Sequence, residues 1–118
     1  TPLQYAVAEG INTIEKNFYI NLKKDFQESR DKLCDALDFA GLTPVVPQGS
    51  YYVLADASNI KGKNSKEKAM FILNQTGIAS VPGSAFYNDT TLGENYIRFC
   101  FSVEDGILNK ACRRLKKL

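Results

Sequence analysis

The sequence contains no histidine and no tryptophan, one methionine, three cysteines and four prolines among its 118 residues. Without histidine, a Ser-His-Asp triad, a Cys-His pair and the usual zinc sites are all excluded from this segment. Any chemistry must rest on lysine, tyrosine, cysteine, the carboxylates or a group from outside the chain. Cys34, Cys100 and Cys112 are odd in number and far apart, and no two have metal-ligand spacing. Two lie in strongly apolar stretches, which points to buried free thiols in a reducing, cytoplasmic compartment. No apolar run approaches the length of about 20 residues that spans a bilayer, and a signal peptide is not expected. The first residue is Thr1 rather than Met, so a beginning removed or a piece of a longer protein is expected. An excess of one charge sign is lacking too, with 15 basic against 13 acidic residues and a net charge of +2. The one basic cluster, Arg113 to Lys117, suits the last turn of a helix, whose dipole it complements. With no aromatic RNA-binding motif either, neither nucleic acid nor membrane is an expected partner.

What is present is an ordinary globular balance, 44% hydrophobic and 24% charged, in a chain long enough for one core. Leu3, Val7, Ile11 and Ile14 form one apolar helical face, opened by Pro2, a residue suited to a first turn. A longer helix follows with Leu22, Phe26, Leu33, Leu37 and Ala40 on one side, stopped at Gly41. Asp31 and Asp35 fall on its solvated side. Leu42 to Val46 then reads as a short extended piece whose proline argues for an edge. After the Gln48-Gly49 turn, Ser50 to Ala55 is rich in strand formers, and Asp56 to Asn64 is a polar loop.

Asn64 with Glu67 resembles a capping box. It opens a helix with Ala69, Ile72, Leu73 and Thr76 on one face, closed at Gly77. Ile78 to Val81 reads as a short buried strand broken by Pro82-Gly83-Ser84. Asn88 to Glu94 is a polar loop and Tyr96 to Phe101 the most apolar strand. Ser102 and Asp105 form a second box, ahead of a helix with Ile107, Leu108, Ala111, Leu115 and Leu118 on one face. This order implies an α+β fold, a small helix-covered sheet of three to four short strands preceded by two helices. A division into a helical linking segment, 1–40, and a small domain, 41–118, is expected.

Arg98 is the anomaly. Strand alternation puts Tyr96, Arg98 and Cys100 on one face and Ile97, Phe99 and Phe101 on the other. The uniformly apolar face must be the core side, so Arg98 points to water, a cleft or another domain. A guanidinium near a dry site stays charged and requires an anion or several acceptors. Its fork matches a carboxylate through two parallel hydrogen bonds. Spacing alone also allows a structural ion pair or an exposed arginine, since many strands carry one. Two turns could build a site: Pro47 to Tyr51 entering a strand, and Val81 to Phe86 leaving one. Each is compatible with an ordinary turn. Gly83-Ser84 is not a phosphate loop, because the glycine spacing and the following lysine are missing.

Taken together, Thr1-Pro2-Leu3-Gln4, Pro47 to Asp56, Val81 to Phe86 and Tyr96 to Phe101 resemble, in order and spacing, the C-terminal portion of class I, fold-type I aminotransferases. The similarity is greatest to the kynurenine–oxoglutarate transaminase and methionine aminotransferase branch and covers essentially the whole chain. Pro82-Gly83-Ser84 departs from the Pro-Val-Ser of that branch. The resemblance implies that Arg98 binds the substrate α-carboxylate and that Gly49, Ser50 and Tyr51 wall the substrate pocket. It implies a pyridoxal phosphate enzyme whose Schiff-base lysine and other cofactor ligands lie upstream of Thr1, so that this segment alone would be inactive. Amino acids and 2-oxo acids are the implied substrates, and a large domain of the same protein and a second subunit the implied partners. A free-standing amino-acid-binding module that uses Arg98 without a cofactor is the rival reading.

Overall fold

The computed structural model describes residues 1–118. Its elements are α1 (Pro2–Thr13), α2 (Lys16–Phe39), β1 (Thr43–Val45), β2 (Tyr52–Asp56), α3 (Ser65–Thr76), β3 (Val81–Pro82), β4 (Tyr96–Cys100) and α4 (Asp105–Leu115). Two short 3-10 turns, Gly83–Phe86 and Thr90–Gly93, lie between β3 and β4. The fold is mixed α+β, as the order of patterns implied. All neighbouring strands pair antiparallel, in the order β1-β2-β4-β3. The last strand in the chain therefore lies inside the sheet. Both edge strands hold a proline, Pro44 and Pro82, where a missing N–H is cheapest.

One face of the sheet is the core side. Val53 and Ala55 of β2 and Ile97 and Phe99 of β4 are buried there against Leu33 and Leu37 of α2, Ile72 of α3, and Leu108 and Leu115 of α4. The other face carries Tyr52, Leu54, Tyr96 and Arg98, all half-buried. The packed body starts inside α2, whose Leu33, Cys34, Ala36 and Leu37 belong to the core ahead of residue 41. By contrast, α1 buries no residue, and Leu3 and Ile11 on its apolar face are 80% and 68% exposed.

Several local expectations shift. The stretch 78–81 is not a buried strand, because pairing is confined to Val81 and Pro82, with Val81 exposed. This strand has one neighbour, and Pro82 cannot donate to it. Strand β2 begins at Tyr52 rather than Ser50, whose backbone is left-handed at φ 98°. Asn64 Oδ1 accepts from the Glu67 N–H at 2.9 Å, but the Glu67 carboxylate reaches the Lys63 N–H instead, also at 2.9 Å. Helix α4 begins at Asp105 with Glu104 at its cap and no side-chain cap, so Ser102 lies too early to serve. Ile107 is exposed, leaving Leu108 and Leu115 to anchor α4. Among the thiols Cys34 is buried and Cys112 partly so, but Cys100 shares Arg98's face and is exposed.

Candidate active-site segment

Arg98 is presented by β4, where it faces Leu54 of β2 and Val81 of β3 across the ladder. Its ζ carbon lies 4.8 Å from the ring centre of Tyr52 and 5.0 Å from that of Phe86. Arg98 enters none of the chain's ion pairs. Its Nε is shielded from solvent yet has no hydrogen-bond partner. That N–H has lost water without gaining an acceptor, a cost of about 1–3 kcal/mol. The contrast is Arg30, which donates to the Pro47 carbonyl at 3.0 Å and pairs with Asp31 at 2.7 Å.

Gly49, Ser50 and Tyr51 line a groove of about 420 Å³ between α2 and the turn that enters β2. Tyr19, Lys23, Phe26 and Arg30 are also among its walls, and Arg98 is not. Gly49, Ser50 and Tyr51 therefore line a different groove from the surface that presents Arg98. The two places are bridged by one edge-on aromatic pair, Tyr51 against Tyr52, with ring centres 5.5 Å apart, Tyr52 being one of the rings over Arg98. Tyr52 and Phe86, the two rings over Arg98, did not stand out in the sequence. Their proximity depends on strand order, although both fall within the stretches that carried the resemblance.

Comparison with known proteins decides the family. The model of aminotransferase class I and II matches residues 1–115. This chain belongs to the class I and II aminotransferase family. It is 34% identical to the kynurenine–oxoglutarate transaminase of Dictyostelium discoideum, covering 100% of the chain and 32% of that relative. A crystal structure from Escherichia coli with a methionine aminotransferase function superimposes with a TM-score of 0.84 at 30% identity, over 100% of this chain and 30% of that one. The N-succinyldiaminopimelate aminotransferase of Mycobacterium tuberculosis gives 0.84 at 30% identity, over 98% and 30%. The chain therefore spans about a third of the length of the relatives it matches.

Family membership implies pyridoxal phosphate, and the buried lysine of this chain is not placed to hold it. A Schiff-base lysine needs a free amino group. The one buried lysine, Lys68, donates its Nζ to Asn95 Oδ1 at 2.9 Å and ties α3 to the start of β4. The groove beside Tyr51 holds Lys23 but not Arg98. No group of three or more Cys, Asp or Glu side chains is placed to hold a metal ion, and no helix is long and apolar enough to cross a membrane. What the segment offers is a half-buried guanidinium whose Nε is shielded from solvent and unpaired.

Proposed function

We propose that this chain is the small-domain part of a pyridoxal-phosphate-dependent aminotransferase and that Arg98 holds the α-carboxylate of the amino acid and the 2-oxo acid. The observation that carries the reading is the guanidinium on β4, desolvated at Nε and without a carboxylate partner within the chain. When bound, the cofactor supplies the electron sink for moving the amino group. The Schiff-base lysine and the cofactor's other ligands belong to the remaining two-thirds of a longer polypeptide. Residues 1–40 then link to that large domain, with the second half of α2 packed into the small domain that 41–118 form. The exposed apolar face of α1 supports this reading, since it suits the large domain or the second subunit of a homodimer. The relatives' names favour aromatic or sulfur-containing amino acids as donors and 2-oxoglutarate as an acceptor. Gly49, Ser50 and Tyr51 wall the substrate pocket in this reading.

The test is Arg98→Ala in the full-length enzyme. Loss of a bidentate, charge-assisted contact should cost roughly 3–5 kcal/mol of transition-state binding. That is on the order of a hundred- to several-thousand-fold in kcat/KM, with the cofactor still bound. Arg98→Lys should recover only part of it, because a point charge cannot reproduce the fork. An amine lacking the carboxylate should be turned over equally poorly by both proteins. Equal losses for the amine and the amino acid would remove Arg98 from this role.

A further inference from the structure

We propose that Tyr52 and Phe86 are positioning residues that clamp the Arg98 guanidinium and so set the strength of carboxylate binding, an inference that rests on Arg98 being the carboxylate anchor. Both rings lie within the range of about 6 Å over which an aromatic face attracts a cation, at 4.8 Å and 5.0 Å. Strand β4 lies between β2 and β3. Tyr52 starts β2, and Phe86 ends the turn that follows β3. The two rings thus reach Arg98 from the two strands that flank it. An acidic side chain in that place would neutralise the guanidinium and occupy its N–H groups. Aromatic rings attract the charge through their quadrupoles and leave the terminal N–H groups free for an incoming anion.

The turn that carries Phe86 is itself held in place. Gly83 and Gly93 approach so closely that a Cβ on Gly83 would fall 2.6 Å from the Gly93 carbonyl oxygen. The Ser65 hydroxyl donates to Ser84 Oγ at 2.8 Å, and the Ser84 N–H donates to Ser65 Oγ at 3.3 Å. The Ser65 N–H in turn donates to Glu94 Oε2 at 2.9 Å. The start of α3 therefore fixes the turn, the turn fixes Phe86, and Phe86 restrains Arg98. Phe86 is 49% exposed, so replacing it removes a ring from the surface rather than from the core.

The experiment measures binding of 3-phenylpropionate, and of uncharged 3-phenylpropionamide as control, to the full-length enzyme by calorimetry. The variants are Phe86→Leu, Tyr52→Leu, Phe86→Tyr, Arg98→Ala and the double variant Phe86→Leu with Arg98→Ala. Removing either ring should weaken the carboxylate by roughly three- to tenfold and leave the amide unchanged. Phe86→Tyr should restore the wild-type value. In the Arg98→Ala background, Phe86→Leu should have no further effect, which separates action through Arg98 from a structural role. The clamp is overturned if Arg98→Ala weakens the carboxylate while loss of either ring does not. It is equally overturned if amide binding falls along with it, or if the Phe86→Leu effect persists without Arg98. Should Arg98→Ala itself leave 3-phenylpropionate binding unchanged, the carboxylate reading falls first and takes the clamp with it. If Phe86→Leu fails to fold, Tyr52→Leu decides by the same criteria.

Discussion

Arg30 and Arg98 carry the same group, yet Arg30 has a carbonyl and a carboxylate within reach while Arg98 has two aromatic rings and no acceptor. Strand alternation alone was enough to put Arg98 on the face away from the core, because Ile97, Phe99 and Phe101 leave no other choice. Its aromatic neighbours were not legible, since Phe86 reaches it only through a pairing between β3 and β4 that no local pattern encodes. The cysteines follow the same logic. Cys34 is in the core, and burial pushes its thiol pKa up, as it does for Cys112. Cys100 alternates onto the Arg98 face and is exposed. Brief iodoacetamide treatment of the folded chain should therefore modify Cys100 first, with Cys34 protected until denaturant is added. Peptide mass mapping reads this directly, and early labelling of Cys34 would contradict its place in the core.

At the level of elements, the four helices and the main strands were legible because each carries its own period, and α2 and α3 carry a glycine stop at Gly41 and Gly77. Helix α3 ends where Gly77 takes the left-handed conformation at φ 70°, a stop that the sequence announced. The strand order was not legible. It places β4 between β2 and β3, a non-local choice made by packing. The two faint elements, β3 and the turn after it, depend on neighbours rather than on propensity. A Cβ at Gly83 would meet the carbonyl oxygens of Tyr96 and Gly93 at 2.5 and 2.6 Å. Backbone must move to admit it, so Gly83→Val is expected to destabilise the fold by roughly 1–3 kcal/mol. Equilibrium denaturation would show this as an earlier midpoint. An unchanged midpoint would mean that the turn yields more easily than the contact allows.

The whole molecule is more extended than a self-sufficient domain. Its radius of gyration is 16.6 Å, against about 13 Å for a compact chain of this length. Its accessible surface is 8159 Å² at 13.1 kDa, where a compact monomer would show roughly 6,400 Å². The excess is roughly twice what one partner buries in a standard protein interface. Its source is α1 and the first half of α2, where Leu3, Tyr5, Val7, Ile11, Phe18 and Ile20 are exposed. The isolated chain is expected to self-associate and to bind an apolar dye through this surface. Sedimentation showing a clean monomer at high concentration, with no dye response, would count against an interface there. The central claim, that Arg98 receives the substrate carboxylate, is tested most directly by a crystal structure of the full-length enzyme with a bound 2-oxo acid. The two carboxylate oxygens are expected at about 2.7–2.9 Å from Arg98 nitrogens, with Tyr52 and Phe86 still over the guanidinium. A carboxylate bound elsewhere, with Arg98 paired to an acidic side chain of the large domain, would contradict the account.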